Sequence, residues 1–129
     1  MSRTFVSSGS DYEHRIGYSR AVIIDDDVLV SGTTGFDYET MTISDDVVAQ
    51  AEQCFHNIAW ALAEAGCTLD DIVRVRYIFP DGRDFEPCWP VFRRHLERAR
   101  PAATMIIAGL LDPRMKLEIE VSARRGAGA

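Results

Sequence analysis

Residues 72–79 read Ile72-Val73-Arg74-Val75-Arg76-Tyr77-Ile78-Phe79, a run in which apolar and basic residues alternate. A period of two marks a strand with one buried face, and it places Val73, Val75 and Tyr77 on one side and Arg74 and Arg76 on the other. Helical patterns flank this strand. Upstream, Ser44 followed by Asp45 and Asp46 reads as an N-cap with acids suited to the positive end of a helix dipole, and Gly66 suits the C′ position. Between them Ala51, Phe55, Ile58, Leu62 and Ala65 recur at spacings of four and three on one face, with Gln53, Asn57, Trp60 and Glu64 opposite. Downstream, Phe85, Trp89, Phe92, Leu96 and Ala99 repeat that spacing. Pro87 and Pro90 must fall in the first turn of this second helix, because deeper inside each would remove a hydrogen bond.

Strands continue outward from this centre. Residues 21–24 and 28–31, around the polar turn Asp25-Asp26-Asp27, read as a hairpin ended by Gly32. Residues 104–108 and 117–123 read as two more strands, the last alternating Leu117, Ile119 and Val121 against Glu118, Glu120 and Ser122, and a short strand is expected at residues 4–6. The order ββαβαββ predicts an α+β domain, a mixed sheet with two helices on one face. No third helix is read that could cover the other face, where Arg74, Arg76, Glu118 and Glu120 stand among apolar residues. A symmetric partner would cover it, so a homo-oligomer is expected. One domain spans residues 1–125, and the tail Gly126-Ala127-Gly128-Ala129 is expected to be disordered.

Composition narrows the function classes. The 129 residues are 47% apolar and 26% charged, an ordinary globular balance. No apolar run is long enough for a bilayer and the first residues lack a secretory pattern, so a soluble, cytoplasmic protein is expected. Cys54, Cys67 and Cys88 form no CxxC pair or even disulfide set, and no His or Cys cluster has metal-ligand spacing; reduced thiols and no metal are expected. The net charge of −6 opposes nucleic acid unless a local patch forms. Arg93, Arg94, Arg98 and Arg100 could make one, against the plainer reading of a solvated helix face. His14, His56 and His95 stand near no nucleophile motif, and Trp60 reads as partial packing before a cofactor platform.

Several stretches together carry a family pattern: Gly17-Tyr18-Ser19, Val30-Ser31-Gly32-Thr33-Thr34-Gly35, Gln50 through Gly66, Asp70-Asp71-Ile72-Val73, Arg100-Pro101-Ala102-Ala103-Thr104 and Lys116-Leu117-Glu118-Ile119-Glu120. In order and spacing they resemble the RidA/YjgF family, also called the L-PSP endoribonuclease family, over residues 18–123. The resemblance implies a chorismate-mutase-like (bacillus-type) fold and a homotrimer with small-molecule clefts between adjacent subunits. It implies hydrolysis of reactive enamines and imines to 2-keto acids and ammonia, without metal or organic cofactor. The implied site contains a serine matching Ser31, a tyrosine matching Tyr18 and a glutamate matching Glu118 that positions or activates water. The arginine that clamps the substrate carboxylate has no match. Ala103 takes its place, two residues after Pro101, and Met105 stands where active members often have cysteine. The usual Gly-Pro-Tyr is shortened to Gly17-Tyr18. The chain thus reads as a divergent subgroup.

Alanine offers nothing in place of a planar fork that binds carboxylate through two charge-assisted hydrogen bonds. Arg76 is the replacement cation to consider, beside Gly32, Ala103 and Thr104 as substrate-lining positions; the plainer reading pairs Arg76 with Glu118 or Glu120. Glu118 is either the water-positioning carboxylate or a strand residue paired with Arg74 or Arg76, and Ser31-Gly32 either presents a hydroxyl and amides to a ligand or is simply a turn. Three functions remain open. They are an enamine or imine deaminase with altered substrate, a ligand-binding or chaperone-like trimer without turnover, and an endoribonuclease, which the acidic balance disfavours.

Overall fold

The computed structural model describes residues 2–129. Strands β1 (Arg3–Val6), β2 (Ala21–Ile24), β3 (Asp27–Thr33), β6 (Ile72–Phe79), β7 (Ala102–Ile107) and β8 (Glu118–Arg124) form one sheet in the order β1-β2-β3-β8-β6-β7. Only β6 and β7 run parallel; the other neighbours are antiparallel. The parallel pair needs a crossover, which helix α3 (Trp89–Leu96) supplies. A two-residue pairing of β4 (Phe36–Asp37) with β5 (Thr42–Ile43) precedes the long helix α2 (Val47–Glu64).

Apolar periodicity seats the helices as expected. Ala51, Phe55, Ile58, Leu62 and Ala65 of the α2 segment are all buried, against Val28, Val30, Val75, Ile119 and Val121 from the sheet. Phe92 of α3 stacks on Tyr77 at 4.2 Å between centroids and lies 6.0 Å from Phe55, joining both helices to β6. Each aromatic buries a large apolar area, so this cluster carries much of the core's stabilisation.

Details differ where local chemistry competes with pattern. Asp46, not Ser44, caps α2, accepting from Ala49 N at 3.0 Å, while the Ser44 hydroxyl accepts from Asp46 N at 3.1 Å. The α3 segment opens with short 3-10 turns, so Phe85 and Ala99 lie outside the α-helix, and Trp89 at its start is exposed. Pro90 sits in the first turn, as its missing N–H requires. Val73 is exposed because β6 carries one extra residue between the pairs Ile72–Ala123 and Arg74–Ser122, which turns it off the core face. Strand β7 begins two residues earlier than expected. Asn57, read as part of the solvent face of α2, is buried and donates to Thr34 O at 3.1 Å and Phe36 O at 2.8 Å. Residues 126–129, expected to be disordered, form a turn in which Gly128 N donates to Asp71 Oδ1 at 2.9 Å.

A third helix does exist. Helix α1 (Asp11–Ile16) starts at Ser10, whose hydroxyl accepts from Tyr12 N, and ends at Gly17 with φ 93°. It leaves the second sheet face bare: Phe5 and Leu29 stay 62% and 48% exposed, beside Arg74, Arg76, Glu120 and Ser122. No helix is long and apolar enough to cross a membrane, and no group of His, Cys, Asp or Glu could hold a metal, among the described residues.

One buried side chain ties α2 to the last strand. Gln50, fully inaccessible, donates to Ser44 O at 2.7 Å and Arg114 O at 2.9 Å and accepts from Lys116 N at 2.9 Å. Replacing it by leucine strands three backbone groups. Gln50→Leu is expected to lower unfolding stability by about 3 kcal/mol, read from denaturant midpoints at unchanged m-value; a loss below about 1 kcal/mol would show that water satisfies those groups instead.

Candidate functional site

The site begins at an irregularity in β3. Between the pairs Val30–Val121 and Thr33–Ile119, β3 advances three residues while β8 advances two, so Ser31 and Gly32 lie in a bulge inside the strand and do not end it. A bulge re-aims side chains and loosens pairing, which suits a ligand-facing position. Gly32 meets Glu118 here. A Cβ at position 32 would lie 2.8 Å from Glu118 Cδ and 3.0 Å from both carboxylate oxygens, so only glycine leaves the carboxylate this space.

Glu118 is half-buried and has no hydrogen-bond or ion-pair partner among the described residues. Burial and the like charge of Glu120 push its carboxyl above the ordinary glutamate range, with the Arg20 guanidinium pulling the other way. Tyr18 feels the same neighbourhood. Its phenol is raised by burial first, lowered by Arg20, and raised by Glu13, Tyr38 and Glu118. The Ser31 hydroxyl donates to Ser19 O at 2.6 Å, and Ser31 N donates to Arg20 O at 3.0 Å, holding the Tyr18–Arg20 stretch alongside the bulge. Tyr18, Ser31, Gly32 and Glu118 therefore gather in one place.

Other expected residues stand apart. Arg76 faces Glu120 in register and pairs with it at 2.7 Å, one of the two partners read for it in the sequence. Glu118 is opposite Ile78. Thr104 is opposite Arg76 and accepts from Arg74 Nη2 at 3.1 Å. Ala103 is opposite Val75, so it points to the helix side of the edge strand, two strands away from Glu118. A concavity of about 300 Å³ on the bare sheet face takes in Ser31, Arg76 and Glu120 but not Glu118 or Tyr18. The arginine cluster in and after α3 is partly neutralised, with Arg94 paired to Glu52 and Arg98 to Asp70 at 3.8 Å.

Arg20 was not singled out in the sequence. It is only 7% exposed, and its Nη2 donates to Gly32 O at 2.8 Å, directly beneath the bulge. A single polar letter before a hydrophobic strand gives no periodic signal, and only the pairing of β2 with β3 brings it under Gly32.

Residues 10–125 match the family described as Endoribonuclease L-PSP. The chain belongs to the RidA/YjgF family. A 2-iminobutanoate/2-iminopropanoate deaminase of Capra hircus is 29% identical over 110 residues, 84% of this chain and 80% of that protein. Rv2704 of Mycobacterium tuberculosis, a member of the YjgF/YER057c/UK114 family, superposes with TM-score 0.87 at 39% identity, covering 95% of this chain and 99% of that one. RidA from an Antarctic Psychrobacter superposes with TM-score 0.79 at 32% identity, with 93% of each chain covered. The mixed sheet with its helices is thus the fold of RidA/YjgF structures.

The raised carboxyl has a stability consequence. In the folded chain Glu118 keeps its proton to higher pH than in the unfolded chain, so its contribution is full below the unfolded pKa and is lost as pH rises through the folded value. Glu118→Gln removes that loss. The variant is expected to melt higher than the wild type at neutral pH, the gap closing as pH falls into the ordinary carboxylate range; a lower melting temperature at neutral pH would mean that the carboxylate has an ionic partner after all.

Proposed function

We propose that this chain hydrolyses the C=N bond of a small reactive enamine or imine that lacks an α-carboxylate, in clefts shared between copies of a homotrimer. Glu118 carries the reading: a half-buried carboxylate, free of partners among the described residues, beside a glycine that leaves its oxygens accessible. In the reaction, water loses a proton to Glu118 as its oxygen bonds to the imine carbon and the C=N electron pair moves to nitrogen. The same proton then passes to the nitrogen of the tetrahedral adduct; Glu118 next takes the adduct's hydroxyl proton and delivers it to that nitrogen as the C–N bond breaks, so that the carbonyl forms and ammonia leaves. Tyr18 and Ser31 border this carboxylate and would orient the substrate. No cofactor is required by that balance.

Two observations support a substrate without the carboxylate. Position 103 bears alanine, and Arg76, the replacement considered from sequence, is engaged by Glu120 at 2.7 Å. A role for position 103 in the cleft requires a second copy, because within one chain β6 lies between β7 and β8, a gap of roughly 10 Å across two strand spacings. The bare sheet face with Phe5 and Leu29 is the natural surface for such copies. The Ser31 hydroxyl, already committed to Ser19 O, favours a second reading in which the cleft binds without turnover.

The assay generates imines in situ with an amino-acid or amine oxidase and lets the protein compete with semicarbazide. Turnover of 2-iminobutanoate is expected to be roughly 100-fold slower than with an arginine-bearing relative, the loss of a two-pronged ion pair, with Ala103→Arg recovering part of it. An imine without the carboxylate should be the better substrate. Its rate should rise with pH through the raised Glu118 value, since the ionised form takes the proton, and should vanish in Glu118→Gln. No ammonia above background from either imine would establish the binding reading in its place. Native mass spectrometry should give three times the chain mass; a monomer at micromolar concentration would remove the shared cleft.

A further inference from the structure

The face of α2 opposite the core is not simply a solvated stripe. Gln53, Asn57 and Trp60 recur along it and, with the β4–β5 turn, line a second cavity of about 400 Å³ that shares Arg20 with the surroundings of Glu118 and Tyr38 with those of Tyr18. That volume lies at the small end of the range of ligand sites, suiting a metabolite of amino-acid size.

Its lining is chemically specific. Arg20 is more than nine-tenths buried, yet no carboxylate lies within ion-pair distance of it among the described residues. Of its five N–H donors, one meets Gly32 O at 2.8 Å and another only a distant Tyr38 hydroxyl at 3.4 Å, while Nε has no partner among the described residues. A buried guanidinium so poorly satisfied, on the wall of a cavity, is set for an incoming anion. The same wall carries the opposite charge. Asp37 uses Oδ1 to accept from Glu39 N and Thr40 N and leaves Oδ2 free, and the Glu39 carboxylate is unpaired among the described residues. Trp60 adds an indole that is 43% exposed.

A buried cation, free carboxylates and an open aromatic face on one cavity match a single ligand class. We propose that this cavity binds a free α-amino acid with a flat apolar side chain, its carboxylate on Arg20, its ammonium toward Asp37 and Glu39, and its side chain against Trp60. The site is separate from the Glu118 cleft and does not depend on the activity proposed for it. A simple carboxylate would leave the acidic groups opposed to it, and a simple amine would leave Arg20 unsatisfied.

Calorimetric titration of the full-length protein with L-phenylalanine tests this, with 3-phenylpropionate and phenethylamine as analogues lacking one charge each. One saturable site per chain is expected with Kd below about 10 mM, and both analogues should bind at least roughly tenfold more weakly. Because Arg20→Gln endangers folding at a buried position, the exposed Trp60→Ala and Glu39→Gln are the variants to use. Each should weaken L-phenylalanine binding by roughly tenfold without changing thermal stability or imine turnover. A crystal soaked with the amino acid should show it between α2 and the β4–β5 turn. Failure to saturate, an analogue binding as tightly as L-phenylalanine, unchanged binding in Trp60→Ala, or density elsewhere would each overturn the proposal.

Discussion

The fully buried amide of Gln50 joins two stretches of chain that lie far apart in sequence, the entry to α2 and the loop before β8. Its two donors hold Ser44 O before α2 and Arg114 O in the loop after β7, and its carbonyl accepts from Lys116 N, two residues before Glu118. Buried polar groups are tolerated only when fully paired, and here the pairing leaves little freedom in where β8 begins. Gly35 extends the same constraint, since a Cβ there would lie 2.6 Å from Gln50 Cβ and 2.7 Å from Gln50 Cα. Backbone contact at that distance cannot be relieved by a rotamer change. The core supplies most of the stabilisation, but the Gln50 bonds set where the strand that bears Glu118 enters it.

From that anchor the geometry around Glu118 follows in short steps. Strand β8 delivers Glu118 opposite the β3 bulge, and the bulge presents Gly32, the residue type that leaves room for a carboxylate there. Arg20 fastens the bulge from below through Gly32 O. Its guanidinium partly offsets the burial and the Glu120 charge that hold the Glu118 proton, so the carboxyl is raised less than those two causes alone would raise it. A general base benefits from such an intermediate state, free of a competing partner and poised above the usual range.

Arg20 also connects the surroundings of Glu118 with the second cavity. One end of its guanidinium serves the β3 bulge, and the rest lines the cavity between α2 and the β4–β5 turn. Asn57 and Gln53 brace that cavity, with Gln53 Nε2 donating to Asn57 Oδ1 at 2.9 Å and Asn57 donating to Thr34 O and Phe36 O. The other face of the sheet has no such internal covering. Its exposed Phe5 and Leu29, set around the Arg76–Glu120 pair, ask for a second surface from outside the chain.

Periodicity in the sequence alone determined the α+β order, the core face of α2, the strand at residues 72–79 and the alternation of β8, because burial imposes its period directly on residue choice. Motif spacing determined the family and pointed to Tyr18, Ser31 and Glu118. Helix α1 was also legible in principle, since Ser10, Asp11 and Glu13 form an N-terminal signature, but six residues are too few to show a face. Only the tertiary structure decided the rest. The extra residues in β3 and β6 shift side chains between faces without changing the sequence pattern, so the exposure of Val73 and the meeting of Gly32 with Glu118 arise from pairing. The choice of Glu120 as partner for Arg76, the burial of Asn57 and the place of Arg20 beneath the bulge likewise depend on contacts between residues distant in sequence. Such contacts leave no periodic trace along the chain, because each is made by one residue meeting another only after the sheet has formed.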